Sequence, residues 1–155
     1  MSCDWSKIPL EELQSEAFGI RKRYFGEELT FAIPGTVSYQ SPDSSCSAGR
    51  FPAISVTGRR CSLLCGHCKG KLLESMIPAE NPRTLLQIAK RLISEGALGM
   101  LISGGANSKG EVPLEQFLPT IAILKEDHPE LKIVVHTGLI RRETAQELKQ
   151  AGVDQ

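Results

Sequence analysis

The sequence predicts an α/β fold built from βα units around a parallel sheet, and three observations support this prediction. Short apolar runs at 51–57, 97–103 and 132–137 alternate with segments whose apolar residues have helical spacing. Each run is apolar on both faces, which is typical of parallel strands covered by helices. Polar or Gly-rich residues follow each run, so three potential binding loops are expected at the carboxyl edge of one sheet.

The first 50 residues differ from the rest and predict an N-terminal extension. Residues 9–25 predict an amphipathic helix, because their apolar residues recur at spacings of three and four. The segment 29–40 alternates on both sides of a Pro-Gly pair and predicts a hairpin. The Ser-rich stretch 41–50 predicts a flexible link, so we place a domain boundary after residue 50.

The remaining residues, 51–155, predict the βα core. Asn81 and Pro82 suit the N-cap and the first position of a helix that follows the first strand. Further helices are predicted over 118–127 and 141–152, after the second and third strands. The last five residues, AGVDQ, resemble the opening of a fourth strand, and we therefore expect a core that is truncated at its C-terminus.

Composition narrows the classes of function. The chain has 155 residues, 41% hydrophobic and 23% charged, which predicts a packed core of about one domain. Lys+Arg and Asp+Glu each total 18, so charge gives no reason to expect nucleic acid or an anionic membrane as a partner. The N-terminus lacks a secretory pattern, and no run approaches the ~18 apolar residues of a membrane span. We expect a cytoplasmic protein.

The strongest chemical signal is 58-GRRCSLLCGHCKG-70, which holds three of the five cysteines. Clustered thiols in a cytoplasmic chain favour metal or catalytic chemistry over disulfides. A structural zinc site normally uses two C-x2-C pairs, and only Cys65 and Cys68 have that spacing. A two-cluster ferredoxin pattern would need a further cysteine. The third class is an iron–sulfur cluster held by three thiolates, with one iron open to a ligand.

The C-x3-C-x2-C spacing directly after the first strand resembles the radical S-adenosylmethionine (SAM) superfamily. The resemblance implies a partial (β/α) radical SAM barrel, of which the first three βα units are present. It implies that Cys61, Cys65 and Cys68 are the metal-binding residues of a [4Fe–4S] cluster, with S-adenosyl-L-methionine on the fourth iron. His67 stands where the family usually has an aromatic residue, and it is expected to contact the cofactor as a planar substitute.

A second stretch, 103-SGGANSKG-110, resembles the GGE motif of the same superfamily, whose backbone contacts the methionyl amine of SAM. Gly104 and Gly105 match this motif, whereas Ala106 replaces its acid. His136 ends the third strand at the same edge, and we expect it beside SAM or substrate, with a purely structural role as the alternative. The resemblance assigns no separate catalytic side chain, because the cofactors carry the chemistry.

Longer phrases, including FPAISVTGRRCSLLCGHCKGKLL and VVHTGLIRRETAQELKQAGVD, resemble the biotin-synthase and lipoyl-synthase-like branch. They are most similar to one subunit of the two-component lipoyl synthases. The resemblance implies an enzyme that generates a 5′-deoxyadenosyl radical for lipoyl-type sulfur insertion. It implies a small-molecule or acyl-carrier substrate and an electron donor such as ferredoxin or flavodoxin. It also implies a second cluster, which would come from a partner subunit or from the missing C-terminal part. A non-catalytic iron–sulfur or zinc binding module stays open as the alternative.

Overall fold

A computed structural model describes residues 7–27, 39–40, 42, 45–46 and 48–155. The chain divides into two compact units, Met1–Ile33 and Pro34–Gln155. The domain boundary that we expect after residue 50 stays a prediction. None of the described helices is long and apolar enough to cross a membrane.

The first unit contains helix α1 (Leu10–Phe25), which confirms the helix predicted over 9–25. Glutamates in the first turn and basic residues in the last turn complement the helix dipole. No residue of α1 is buried, and Phe18 and Tyr24 are both exposed. The apolar residues predicted to form a stripe on this helix are not buried among the described residues.

The second unit begins with two strands of two residues each. Strand β1 (Tyr39–Gln40) pairs antiparallel with β2 (Ser45–Cys46). Of the hairpin predicted over 29–40, only residues 39–40 are described, and they pair with 45–46 rather than across the Pro-Gly turn. The Ser-rich stretch 41–50 contains β2 and a 3-10 turn, Ala48–Arg50, so part of the predicted flexible link has regular structure.

The main sheet consists of four parallel strands. They are β3 (Ala53–Ser55), β4 (Ile77–Pro78), β5 (Gly99–Ser103) and β6 (Lys132–Val135), in the spatial order β4-β3-β5-β6. Helices α2 (Pro82–Ser94), α3 (Leu118–Asp127) and α4 (Arg142–Gln150) follow β4, β5 and β6. The α/β class and the parallel sheet are confirmed, as are the βα units of β5 with α3 and of β6 with α4. The predicted first unit differs, because β4 lies between β3 and α2. Strand β4 was not predicted, and closure of the sheet into a barrel stays a prediction.

Strand register determines where the loops leave the sheet. Ser55 pairs with Ser103, and Ile102 pairs with Val135, so β3, β5 and β6 end at nearly the same level. The loops that follow these three strands therefore emerge at one carboxyl edge.

The core lies between the sheet and its helices. Strand β5 is buried along four of its five residues, as expected for a central parallel strand. Fully buried side chains from strands and helices meet here, among them Ile54, Leu85, Met100, Ile102, Phe117, Ile121 and Ile133.

Two helix starts follow the predicted chemistry. Asn81 is the N-cap of α2, and its side-chain oxygen accepts a hydrogen bond from the Thr84 N–H at 2.9 Å. Pro82 occupies the first helical position, where a backbone N–H would have no acceptor within the helix, so its absence costs no hydrogen bond. Pro119 lies in the first turn of α3 for the same reason.

Residues 153–155 are not assigned to a strand, although they run beside β6. The Asp154 N–H donates to the Ile133 carbonyl at 3.0 Å, and the Gln155 carbonyl accepts from the Val135 N–H at 2.7 Å. The Asp154 carboxylate also accepts hydrogen bonds from the Ile133 N–H, Lys125 and Lys132. Burial alone would raise the pKa of Asp154, but these three donors outweigh it, and the pKa lies below its ordinary value.

We expect Asp154→Asn to reduce the free energy of unfolding at pH 7 and to weaken its dependence on acid pH. A carboxyl group whose folded pKa is depressed stabilises the fold above its unfolded pKa, near ~4, and this contribution disappears as the pH falls through the folded pKa. Urea denaturation at pH 7 and at pH 3 measures both effects. Glu126→Gln is the control, since Glu126 is exposed and forms no ion pair within the described residues. An unchanged pH dependence in Asp154→Asn would contradict the assignment.

We expect Asn81→Ala to lower the free energy of unfolding by about 1 kcal/mol, because the Thr84 N–H loses its side-chain acceptor. Urea denaturation at neutral pH measures the change. Asn81→Asp keeps an acceptor at the N-cap and should remain close to wild type.

Candidate functional site

A cavity of about 460 Å³ opens at the carboxyl edge of the sheet. The cysteine loop (residues 58–70), the Gly-Gly loop (residues 104–112) and the chain after β6 all contribute to its wall. The residues that line it include Cys61, Cys65, Cys68, Gly104, Gly105 and His136. The fold thus brings six of the seven sequence-predicted site residues to one cavity, while their roles as ligands stay predictions.

Tight turns shape the cysteine loop. The Cys65 carbonyl accepts hydrogen bonds from the N–H groups of Cys68 and Lys69, at 3.1 and 2.8 Å. Leu64 and Lys69 have positive φ values of 42° and 48°, a backbone region that residues other than glycine adopt at a cost. These turns fold the loop so that all three thiols are partly exposed at the same cavity.

Backbone amides stabilise the thiolate form of Cys61. The amides of Leu64 and Leu63 lower the pKa of this thiol, burial acts in the opposite direction, and the amide of Ala106 lowers it further. The net pKa lies below the ordinary value of a cysteine. The thiolate is the form that ligates metal, so the chemistry of this donor suits a metal-bound cluster.

The cavity offers the kind of donors that an iron–sulfur cluster needs, three thiols on one wall. Over the described part of the chain, however, no three His, Cys, Asp or Glu side chains are arranged to hold a metal ion. The cysteines therefore fit the predicted group by residue type and by shared location.

Gly105 marks the point where the Gly-Gly loop touches the cysteine loop. A Cβ atom at Gly105 would overlap the Arg60 carbonyl oxygen and would lie 2.6 Å from the Cα of Cys61. The Ser62 N–H donates to the Ala106 carbonyl at 2.8 Å and joins the same two loops. The neighbour that requires a glycine at position 105 is thus the protein backbone itself.

The two histidines of interest differ in location. His136 lines the cavity, and its backbone is held by a bond from its N–H to the Ile102 carbonyl and by one from the Ser103 hydroxyl to its own carbonyl. His67 is exposed and is not among the residues that line the cavity. Contact between His67 and a cofactor stays a prediction, without support from this placement.

The sequence reasoning missed the apolar wall of the cavity. Leu63, Leu72, Met76, Leu101 and Val112 belong to it, and Leu72 is 67% exposed. No Asp, Glu, Lys or Arg lines the cavity in the described part of the chain, so thiols and one imidazole are its titratable groups. The available signal in the sequence was the pair of leucines, Leu63 and Leu64, between Cys61 and Cys65.

The chain matches no protein-family model. Among curated proteins it is similar to biotin synthases of staphylococci. The biotin synthase of Staphylococcus epidermidis is 25% identical over 154 residues, which cover 96% of this chain and 42% of the relative. The biotin synthase of Staphylococcus haemolyticus is 27% identical over 152 residues, which cover 92% of this chain and 40% of the relative. The biotin synthase of Staphylococcus aureus is 28% identical over 157 aligned positions, which cover 96% of this chain and 40% of the relative.

These relatives bear on the family resemblance in two ways. Biotin synthase is a radical SAM enzyme, so the similarity supports the radical SAM superfamily. It does not support the finer expectation of a lipoyl synthase subunit. The chain spans about two fifths of the length of the curated relatives that it matches.

We expect Gly105→Ala to destabilise the protein by about 1–3 kcal/mol, the usual range for overpacking, because backbone atoms cannot move away from the new methyl group. Urea denaturation of the metal-free chain measures this. Gly66→Ala is a matched control in the cysteine loop, where an added Cβ meets no atom within 4 Å. Equal stability of the two variants would contradict the close loop contact.

Proposed function

We propose that this chain acts as a radical SAM protein, which binds a [4Fe–4S] cluster through Cys61, Cys65 and Cys68 and binds SAM beside it. The observation that carries the proposal is the shared cavity, which the three cysteines line together with Gly104 and Gly105. The similarity to biotin synthases supports the same superfamily.

Each part of the cavity has a distinct task in this proposal. The three thiolates hold the cluster, and backbone amides around Cys61 favour the ionised form that binding requires. When bound, the cluster supplies the electron that cleaves SAM to a 5′-deoxyadenosyl radical for hydrogen abstraction. Gly104 and Gly105 line the cavity and offer backbone groups to SAM, while the positions of their missing Cβ atoms face Thr57 and the cysteine loop.

The apolar wall suits such chemistry because it keeps water and exchangeable protons away from a reactive species. Leu63, Leu72 and Met76 supply this wall beside the cysteines. His136 lies on the same cavity, and we assign it to contact with SAM or with substrate. Ala106 has no carboxylate, so any contact with the SAM amine at this motif uses the backbone.

The exterior of the cysteine loop suits an acidic electron-transfer partner such as ferredoxin or flavodoxin. Arg59, Arg60 and Lys69 are exposed there, as is Lys71 just after the loop. Among these four, only Arg60 forms an ion pair within the described residues, with Glu80 at 2.5 Å. Positive charge near the thiolates would attract an acidic reductant electrostatically and raise its rate of association at the cluster.

The substrate would be a small molecule or an acyl group on a carrier, and lipoyl-type sulfur insertion is the finer form of the proposal. Sulfur insertion needs a sulfur donor in addition to the three loop thiolates. Only Cys3 and Cys46 stand outside the cysteine loop, too few to hold a second cluster. A partner subunit, or a part of the protein beyond this chain, would therefore supply it.

The cysteine assignment predicts the outcome of anaerobic reconstitution. The chain should take up about four irons and four sulfides, with broad visible absorbance and an EPR signal on reduction that SAM perturbs. Cys61→Ala, Cys65→Ala and Cys68→Ala should each abolish this cluster, because each removes a ligand. Cys46→Ala is the control and should retain it.

Two outcomes would contradict the proposal. A colourless protein that binds one zinc ion would favour the non-catalytic metal-binding module. Loss of the cluster in Cys46→Ala would overturn the ligand assignment. Formation of 5′-deoxyadenosine with dithionite as reductant then tests the radical chemistry directly.

A further inference from the structure

Thr57 joins the two loops that form the candidate site. It lies two residues after the end of β3 and is partly buried. Its hydroxyl oxygen accepts a hydrogen bond from the Gly105 N–H at 2.7 Å, and the hydroxyl donates to the Arg60 carbonyl at 2.9 Å. A single side chain thus bridges the Gly-Gly loop and the cysteine loop.

The hydrogen-bond chemistry permits only one orientation of this hydroxyl. The Gly105 N–H can only donate and the Arg60 carbonyl can only accept, so the hydroxyl hydrogen must point to Arg60. The neighbouring Ser55 hydroxyl, 3.5 Å away, is committed to the Gly58 carbonyl at 2.6 Å. Neither hydroxyl has a hydrogen left for the other, so the bridge depends on Thr57 alone.

Thr57 also packs against the first glycine of the Gly-Gly loop. A Cβ atom at Gly104 would lie 3.0 Å from the Thr57 hydroxyl oxygen and 3.1 Å from its methyl carbon. Together with the bond from Ser62 to Ala106, the Thr57 bridge ties the start of the cysteine loop to residues 105–106 at two points. Thr57 does not line the cavity, so its effect on the site must pass through these backbone groups.

We propose that Thr57 is a positioning residue, whose hydroxyl sets the distance between Cys61 and the Gly104–Gly105 backbone. This inference rests on the proposed function, in which the cluster and SAM occupy the cavity that these two loops line. Removing the hydroxyl leaves the Gly105 N–H and the Arg60 carbonyl without this partner and lets the loops separate.

Two variants of the full 155-residue chain test this role. Thr57→Val keeps the shape of the side chain and removes the hydroxyl, whereas Thr57→Ser keeps the hydroxyl and removes the methyl group. In the metal-free chain, amide exchange at Gly105 should be about tenfold faster in Thr57→Val, the effect of one lost hydrogen bond, and close to wild type in Thr57→Ser. In the reconstituted chain, the Kd for SAM from equilibrium dialysis should rise about tenfold in Thr57→Val and recover in Thr57→Ser.

The outcomes separate this inference from the proposed function. If wild type assembles the cluster and binds SAM, and Thr57→Val binds SAM as tightly, the positioning role is wrong. Equal losses in Thr57→Val and Thr57→Ser would also overturn it, because they would assign the effect to packing. A wild-type chain that takes up no iron and sulfide overturns the proposed function itself, and amide exchange at Gly105 still shows whether the hydroxyl bridges the loops.

Discussion

At Gly105 the backbone of the loop after β5 touches the backbone of the cysteine loop, with no room for a side chain between them. This contact is possible because the parallel register ends β3 and β5 at the same level, with Ser55 opposite Ser103. The bond between Ser62 and Ala106 continues it. The shape of the cavity and the location of Cys61 follow from this approach of two loops.

The wall of the cavity is apolar, whereas the exterior of the cysteine loop is basic. Inside, leucines and a methionine surround the thiols, and no charged side chain of the described residues lines the wall. Outside, exposed arginines and lysines lie along the cysteine loop. In the proposed function, the apolar interior would protect reactive species, and the basic exterior would attract an acidic partner. The cysteine loop contributes Leu63 to the apolar wall and exposed basic residues to the exterior, while Leu72, Met76 and Leu101 come from other segments.

Most of the core could be predicted because its signals are local. Helical spacing and the Asn81 cap determine α2, and apolar runs determine β3, β5 and β6. Strand β4 was missed, since two residues carry no alternation and pair only through their neighbour β3. Helix α1 was predicted, but an apolar pattern does not reveal what covers a helix, and no residue of α1 is buried.

The sequence by itself determined the α/β class, the edge where the binding loops meet and the three cysteines that make this edge chemically distinctive. Only the tertiary structure decided that His136 lines the cavity while His67 does not, that Thr57 bridges the loops, and that Gly105 is packed against protein. Spacing along the chain identifies the loop in which a residue lies. The direction of a side chain, and its neighbours from other strands, depend on backbone turns and strand register, which arise only when distant segments pack together.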